Sequence, residues 1–535
     1  MISYTSSNQL PIEEFALPFG GKLVSDNRWV ILSQLIPWDH MAMIYYRKMS
    51  VQKGAPSKNA RLVIGAIIIK HKMKLSDEET IQTIQENPYM QYFLGLSGFT
   101  DKPIFDPSLF VYIRKRLGVE AFDEMSQRII EIALGDKKVI KSKNEPDSNK
   151  DEQPLDGNNT EGSNQVETKK TETKNKGKLK MDATVADAFI KFPTDLDLLN
   201  DSREKSEELI DFLFEDLKLR VKPRTYRQNA RKDFLSLAKK KNKNLKEIKK
   251  YIRKQLGYLN RNIKHLYKML DQYQDKSIPF DRQQYKYFLV IQEVYRQQLE
   301  MYKKNEHSCQ NRIVSIHQPH VRPIVRGKAK AKVEFGAKIG VSLRDGFSRI
   351  DTLSWEAYNE STDLQKQCEN YNTLYGYYPE LVQADRIYLT LENRIWLKAR
   401  NIRIIGKPLG RPPKEELTAY QKRKKRKEEA ERNHIEGKFG QGKNGYELNK
   451  IRARLQETSE SWIAAIFLVM NLVRLSKDFI FAHFSDCLRS HFMVLETLTS
   501  LYKVNRYRFV TALSTRLGSS GSVSHQYVGF IKLVA

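Results

Sequence analysis

The chain has 535 residues, 40% hydrophobic and 10% aromatic, enough to bury sizeable cores in about three domains, so disorder can be only local. Its formal net charge is +28, from 92 basic against 64 acidic residues; a polyanion, with nucleic acid as the default, is the first partner to expect, and a scaffold unrelated to nucleic acid is disfavoured. Cys309, Cys368 and Cys487 lie far apart without paired spacing, which excludes a disulfide framework or structural zinc site, and the longest apolar run, Trp462 to Met470, falls far short of the ~20 residues that span a bilayer, so a cytoplasmic protein with no membrane contact is expected.

From Asn27 to Gly135 the sequence reads as compact helices. Ser76-Asp77-Glu78-Glu79 matches a capping box, and Asn87-Pro88 and Asp106-Pro107 each place a cap before a first-turn Pro. A helix from Ala60 to His71, another from Asp77 to Gln85 and a third near Met90 suggest a helix-turn-helix, with an ordinary helical domain as the alternative. Arg47, Lys48, Lys53, Lys58, Arg61, Lys70, Lys72 and Lys74 supply cations of the kind phosphate contacts need, and residues 1–135 are taken as a helical N-terminal DNA-binding domain. Over 136–179 the composition turns to Lys, Asn, Glu, Asp, Thr, Gly and Ser, which cannot form a core and predicts a disordered polar linker.

Leu179 to Ile190 has strand alternation, with Met181, Ala183 and Val185 set against Asp182, Thr184 and Ala186; taken alone, Asp182 is no more than an edge-strand solubility device. A helical stretch follows over about 202–310, in which Leu245, Ile248, Ile252, Leu256, Leu259, Ile263, Leu266 and Leu270 recur at spacings of three and four. Strands return at Lys332 to Ser342 and Phe347 to Leu353 around an Arg344-Asp345-Gly346 turn, then at Leu381 to Tyr388 with Asp385 near the end, and at Arg403 to Ile405 after a helix from Glu392 to Arg400. The order gives a mixed α/β domain over 180–475 with a helical insertion after its first strand. Trp462 to Leu475 reads as a buried helix, and 476–535 carries no recognisable chemistry.

The stretch Arg432 to Lys443, Arg-Asn-His-Ile-Glu-Gly-Lys-Phe-Gly-Gln-Gly-Lys, sets Glu436 between two cations. The Lys-, Arg- and Glu-rich run before it predicts a helix carrying Arg432 and Glu436 one turn apart on one face, ending near Glu436 so that Lys443 comes from a loop. By itself this is an exposed ion pair. Asp182 and Asp385 change the picture, because three carboxylates remote in sequence but able to converge can hold two divalent cations, Mg²⁺ or Mn²⁺ by the hardness of their oxygens, for phosphoryl displacement.

At these residues the sequence resembles the DDE-class transposases of bacterial insertion sequences. The resemblance rests on Asp182-Ala-Thr followed by Phe192-Pro-Thr-Asp-Leu-Asp-Leu-Leu-Asn, on Arg322-Pro-Ile-Val-Arg-Gly-Lys, on Val333-Glu-Phe-Gly, on Ala384-Asp-Arg-Ile-Tyr and Glu392-Asn-Arg, on Gly406-Lys-Pro-Leu-Gly-Arg-Pro-Pro, and on Arg432-x3-Glu436-x6-Lys443. Glu429 stands where the fuller signature has a Tyr. The resemblance implies a ribonuclease-H-like catalytic domain with Asp182, Asp385 and Glu436 as catalytic metal ligands for Mg²⁺ or Mn²⁺. It also implies that Arg432, Lys443, Arg326 and Lys328 contact DNA, and that a homodimer in the active complex engages inverted-repeat ends and target DNA. A transposase-derived DNA-binding protein without activity, and a nuclease that cuts without strand transfer, stay open on the sequence.

Overall fold

The computed structural model describes residues 14–17, 21–50, 56–143 (backbone alone over 136–143), 174–273, 278–325, 333–405 and 418–481. Most of the expected linker, Arg326, Lys328, Cys487 and the tail from 482 lie outside the described residues.

The head is built from α1 (Arg28–Leu35), α2 (Trp38–Arg47), α3 (Ala60–Met73), α4 (Asp77–Glu86), α5 (Pro88–Phe93) and α6 (Leu109–Lys143), the last broken at Gly118 by φ 68°. The caps legible in sequence form: Ser76 and Glu79 make a reciprocal capping box on α4, and the Asn87 side chain accepts from Met90 N with Pro88 in the first turn. The helix-turn-helix reading fails on burial. α3 is buried on nearly every side, α5 buries Met90, Gln91, Tyr92 and Phe93, and the residues α4 exposes include Glu78, Glu79 and Glu86, which repel phosphate. Two of the expected surface cations are also interior: Arg61 donates to the carbonyls of Phe93 and Tyr92, and Lys70 is only 1% exposed.

The sheet begins with β1 (Lys178–Asp187), followed by β2 (Arg322–Val325), β3 (Val333–Arg344), β4 (Phe347–Ser354), β5 (Leu381–Gln383) and β6 (Arg403–Ile404). β1 is central. It pairs antiparallel with β3 on one side and parallel with β5 on the other, and β6 continues parallel beyond β5, so the edge-strand reading of Asp182 is excluded. The far side of β3 takes both β2 and β4, and the β3–β4 hairpin turns through Asp345 and Gly346, both at positive φ. β5 is shorter than expected because Asp385 already caps a 3-10 turn over Arg386–Tyr388. At Gly336 an added Cβ would lie 2.0 Å from the Ala186 carbonyl oxygen, a backbone atom of the paired strand. Gly336→Ala is therefore expected to part β1 from β3 locally and destabilise the protein by about 2 kcal/mol or more, read as a lower urea midpoint.

Between β1 and β2 runs the helical insertion, α7 (Asp195–Asp216), α8 (Arg227–Ala238), α9 (Leu245–Leu270) and α10 (Arg282–Lys304), which starts earlier than expected because Thr194 caps α7. Its own core joins Leu209, Ile210 and Leu213 to Leu256, Leu259, Ile263 and Leu266, although Leu245, the first member of the predicted stripe, is exposed. On the sheet, α11 (Asp363–Tyr375) and α12 (Leu391–Ala399) cover one face, packing Leu364, Cys368 and Leu397 on Leu179 and Met181. The other face takes α13 (Ala419–Gly440) and, farther along, a helix that is buried over 461–472.

The expected boundary at 135 does not divide the packing, since residues 1–472 form one compact unit. Ser461 Oγ donates to the Arg114 carbonyl, Asn471 Nδ2 bridges Ser126 of α6 and the Ser348 carbonyl of β4, and Arg349 pairs with Asp123 at 2.9 Å. A second unit begins at Val473; its described residues, 473–481, are helical, with an Arg474–Asp478 ion pair of 2.9 Å.

Candidate active site

The parallel register leads toward two of the three carboxylates. Lys178 pairs with Leu381, Leu179 with Val382 and Lys180 with Gln383, and Asp182 and Asp385 each lie two positions past the last of these pairs, Asp385 where the chain leaves the sheet. Asp182 is half-buried with Oδ1 accepting from Ala183 N at 2.8 Å; Asp385 is exposed with Oδ1 accepting from Arg386 N at 2.6 Å.

α13 is docked on these strands by a stripe with spacings of three and four, Glu428, Glu431, Ile435 and Phe439. Gln383 Nε2 donates to the Glu428 carbonyl at 2.8 Å, Arg403 pairs with the Glu428 carboxylate at 3.1 Å, and Lys178 donates to Glu431 at 2.7 Å. That hydrogen bond, with the charges of Lys178 and Lys180, holds the Glu431 carboxyl below its usual value. Lys178, Lys180 and Asp182 alternate onto one face of β1, so α13 lies on the face that Asp182 shares. Glu436 projects from the same helix, 55% exposed, and accepts from Arg432 Nη2 at 3.0 Å, the pair expected from the spacing.

The helix does not end near Glu436. It continues to Gly440 and passes into a π-helical turn over Gln441–Gly445, so Lys443 comes from a helical turn and not from a loop. Gly437 and Gly440 sit in the helix although nothing lies within 4 Å of an added Cβ; local docking of Ile435 and Phe439 outweighs the ~1 kcal/mol each glycine costs a helix. Lys443 Nζ lies 3.4 Å from Asp187 and 3.5 Å from Glu334, at the end of β1 beyond Asp182, and Lys74 of the head donates to the neighbouring Asn444 carbonyl. Among the described residues no three acidic, His or Cys side chains gather closely enough to hold a metal ion.

Sequence reasoning missed Glu428 and Glu431 as docking groups, though their spacing to Ile435 was visible. It also missed Asp187 and Glu334, which no local signal marks. Tyr388, within the Ala384-Asp-Arg-Ile-Tyr motif, is fully buried with no hydrogen-bond partner for its hydroxyl, and burial, with the charges of Glu360 and Asp182, pushes that hydroxyl well up. A cavity of about 220 Å³ past the end of β1, lined in part by Phe192, Asp201, His317 and Arg454, includes none of the candidate carboxylates.

Two family models match the chain, one described as a transposase DDE domain over 382–473 and the other as a transposase domain over 19–116. Both matches support a likeness to the insertion-sequence DDE transposases. The DDE match contains Asp385 and Glu436 but not Asp182, and the second match covers most of the helical head. The chain is 35% identical over 108 residues to an uncharacterized protein of Rhizobium meliloti, ORF8 in the nfe locus; the match takes in 20% of this chain and spans half the length of that relative. No solved structure matches. No helix among the described residues is long and apolar enough to cross a membrane.

Proposed function

We propose that the chain binds the ends of an insertion sequence and catalyses divalent-metal-dependent strand cleavage and strand transfer, with Asp182, Asp385 and Glu436 as the acting carboxylates on a ribonuclease-H-like sheet. The observation that carries this is the parallel pairing of β1 with β5, which ends two positions before both Asp182 and Asp385, beside the helix that bears Glu436. The strand order β4-β3-β1-β5-β6, antiparallel up to β1 and parallel after it, supports the sheet assignment.

The donor set suits Mg²⁺ or Mn²⁺, being carboxylate oxygens alone. Glu436 is restrained only by an exposed ion pair worth under about 1 kcal/mol, so its oxygens are available to a stronger cation. Bound there, such ions would activate the attacking oxygen and stabilise the leaving one. Arg432, once released from Glu436, is set to donate to a phosphate oxygen of the same strand. Exposed Lys48 and Lys58 of the head would add contacts to end DNA, and the two ends of an element ask for two copies of the chain.

The test is full-length protein with duplexes carrying the element's ends and a target plasmid, in Mg²⁺ and in EDTA. Nicked and joined products in Mg²⁺ alone are expected. Binding without any cleavage would make the chain a DNA-binding protein, and cleavage without joining a nuclease.

A further inference from the structure

We propose that the outer face of α9, in the helical insertion, is a docking surface for the phosphate backbone of duplex DNA. This rests on the reading of the chain as a DNA transposase and adds a binding surface that the carboxylate site does not include. The inner face of α9 is spent on packing, with Leu256, Leu259, Ile263 and Leu266 in the core of the insertion. Its flanks are taken as well. On one side Gln255 donates to the Ala230 carbonyl of α8, and on the other Lys249 donates to Asn305 at the end of α10. What faces outward is Lys246, Lys250, Arg253, Gly257, Asn260 and Lys264, spaced four and three apart along one side of the helix, all exposed but the half-buried Asn260.

The stripe holds no acid, and the acids around it are engaged elsewhere. Between Asp233 and Asp271 the sequence carries a single acid, Glu247, which pairs with Lys240. Asp233 pairs with Lys254 and accepts from Tyr258, both on the α8 flank. On α10, Glu293 pairs with Arg296, and Glu300 pairs with Arg296 and Lys304. Glu300, by hydrogen bond and charge, and Glu306, by charge, hold the Lys304 amine above its usual value. Lys268 would continue the row, but Asp271 stands one turn after it, so the stripe ends at Lys264. Among the described residues Lys246, Lys250, Arg253 and Lys264 form no ion pair. A merely solvated face looks like that of α10, where cations and acids alternate in pairs one turn apart.

A row of like charges opposes itself, since Lys246 with Lys250 and Lys250 with Arg253 repel one turn apart. A polyanion relieves that repulsion, and a duplex supplies one negative charge per ~1.7 Å of axis. Gly257, in the middle of the stripe, has nothing within 4 Å of an added Cβ, so no packing there offsets the ~1 kcal/mol that glycine costs a helix. The missing side chain instead leaves the surface low where a phosphate backbone closes in. At 1.5 Å per residue the stripe from Lys246 to Lys264 is about 27 Å long, the rise of ~8 base pairs at 3.4 Å per step.

The test compares the full-length parent with a stripe variant carrying Lys246→Gln, Lys250→Gln, Arg253→Gln and Lys264→Gln, which keeps helix propensity, and with one in which the three lysines become Arg. A third variant, Arg296→Gln with Lys303→Gln and Lys304→Gln, removes comparable charge from α10. Affinity for a 40-base-pair duplex carrying the element's end is measured against salt, and each complex is footprinted with hydroxyl radicals. With most of the stripe on phosphates, the stripe variant should lose roughly 3 from the slope of log affinity against log salt, and protection over a stretch of up to ~8 base pairs, whereas the other two variants should keep both. A parental slope or an unchanged footprint for the stripe variant overturns the surface alone, and so does an equal loss of slope in either of the other variants. A parent that leaves the duplex unbound at low salt overturns the surface and the proposed function together.

Discussion

Glu436→Gln is expected to slow Mg²⁺-dependent cleavage of end DNA by roughly a thousandfold or more while DNA binding survives. The substitution keeps size and helix propensity, and Glu436 is 55% exposed with Arg432 as its partner at 3.0 Å, so as a mere ion pair it would cost under about 1 kcal/mol and leave activity near normal. As a metal ligand it cannot be spared, because the amide loses the charge that holds a dication. Asp182→Asn and Asp385→Asn should fall with it if the three carboxylates share the metal ions, each lying two positions past the paired ends of β1 and β5. The measurement is initial cleavage rate beside binding of the same duplex; a Glu436→Gln protein cutting at more than about a tenth of the parental rate would sink the assignment.

Asp77→Ala should destabilise the fold by about 3–5 kcal/mol, the cost of stripping two buried cations of their counter-ion. Asp77 lies 2.9 Å from Lys70 and 2.7 Å from Arg114, which are 1% and 5% exposed, and both cations also stack on the Trp462 ring. Burial pushes the Lys70 amine down to about 8, against the pull of Asp77. Burial also pushes the Asp77 carboxyl up, yet the Arg114 and Lys70 hydrogen bonds and charges outweigh it and hold the group below its ordinary 3.8. A depressed carboxyl contributes stability that is full above 3.8 and is lost as pH falls through the lower folded value. Urea unfolding at pH 7 and through the acid range checks both: the parent should lose this contribution in acid, and the variant should start without it. A loss under about 1 kcal/mol at pH 7 would refute the buried-triad account.

Local chemistry was the legible part of this fold. The capping box at Ser76, the Asp345-Gly346 turn and the stripe through Leu256, Leu259, Ile263 and Leu266 depend on neighbours a few residues away, and each stands where the spacing put it. The helix-turn-helix reading failed because hydrophobic pattern does not reveal that α3 is enclosed on nearly every side, with Lys70 tucked under a tryptophan almost 400 positions later in the chain. Glycine misled at Gly437 and Gly440, where tertiary docking overrides a breaker of modest cost. For the site, residue types and order pointed to Asp182, Asp385 and Glu436, but only strand pairing shows that the segments leading to the first two are neighbours, and no spacing announced that Lys443 would lie beside Asp187 and Glu334.

The insertion after β1 has a consequence for how a nascent chain matures. β1 ends at Asp187 and its antiparallel partner starts at Val333, so 146 residues of numbering separate them. At ~5–20 residues per second, the central strand waits about 7–30 s on the ribosome before a partner exists for either edge. The insertion meanwhile carries its own core and can condense at once, while the head, complete in sequence, lacks the tryptophan that covers Lys70 and Arg114 until Trp462 emerges. Translation thus runs ahead of assembly, and the protein's exposure to misfolding and to chaperones is concentrated in that interval on the unpaired edges of β1.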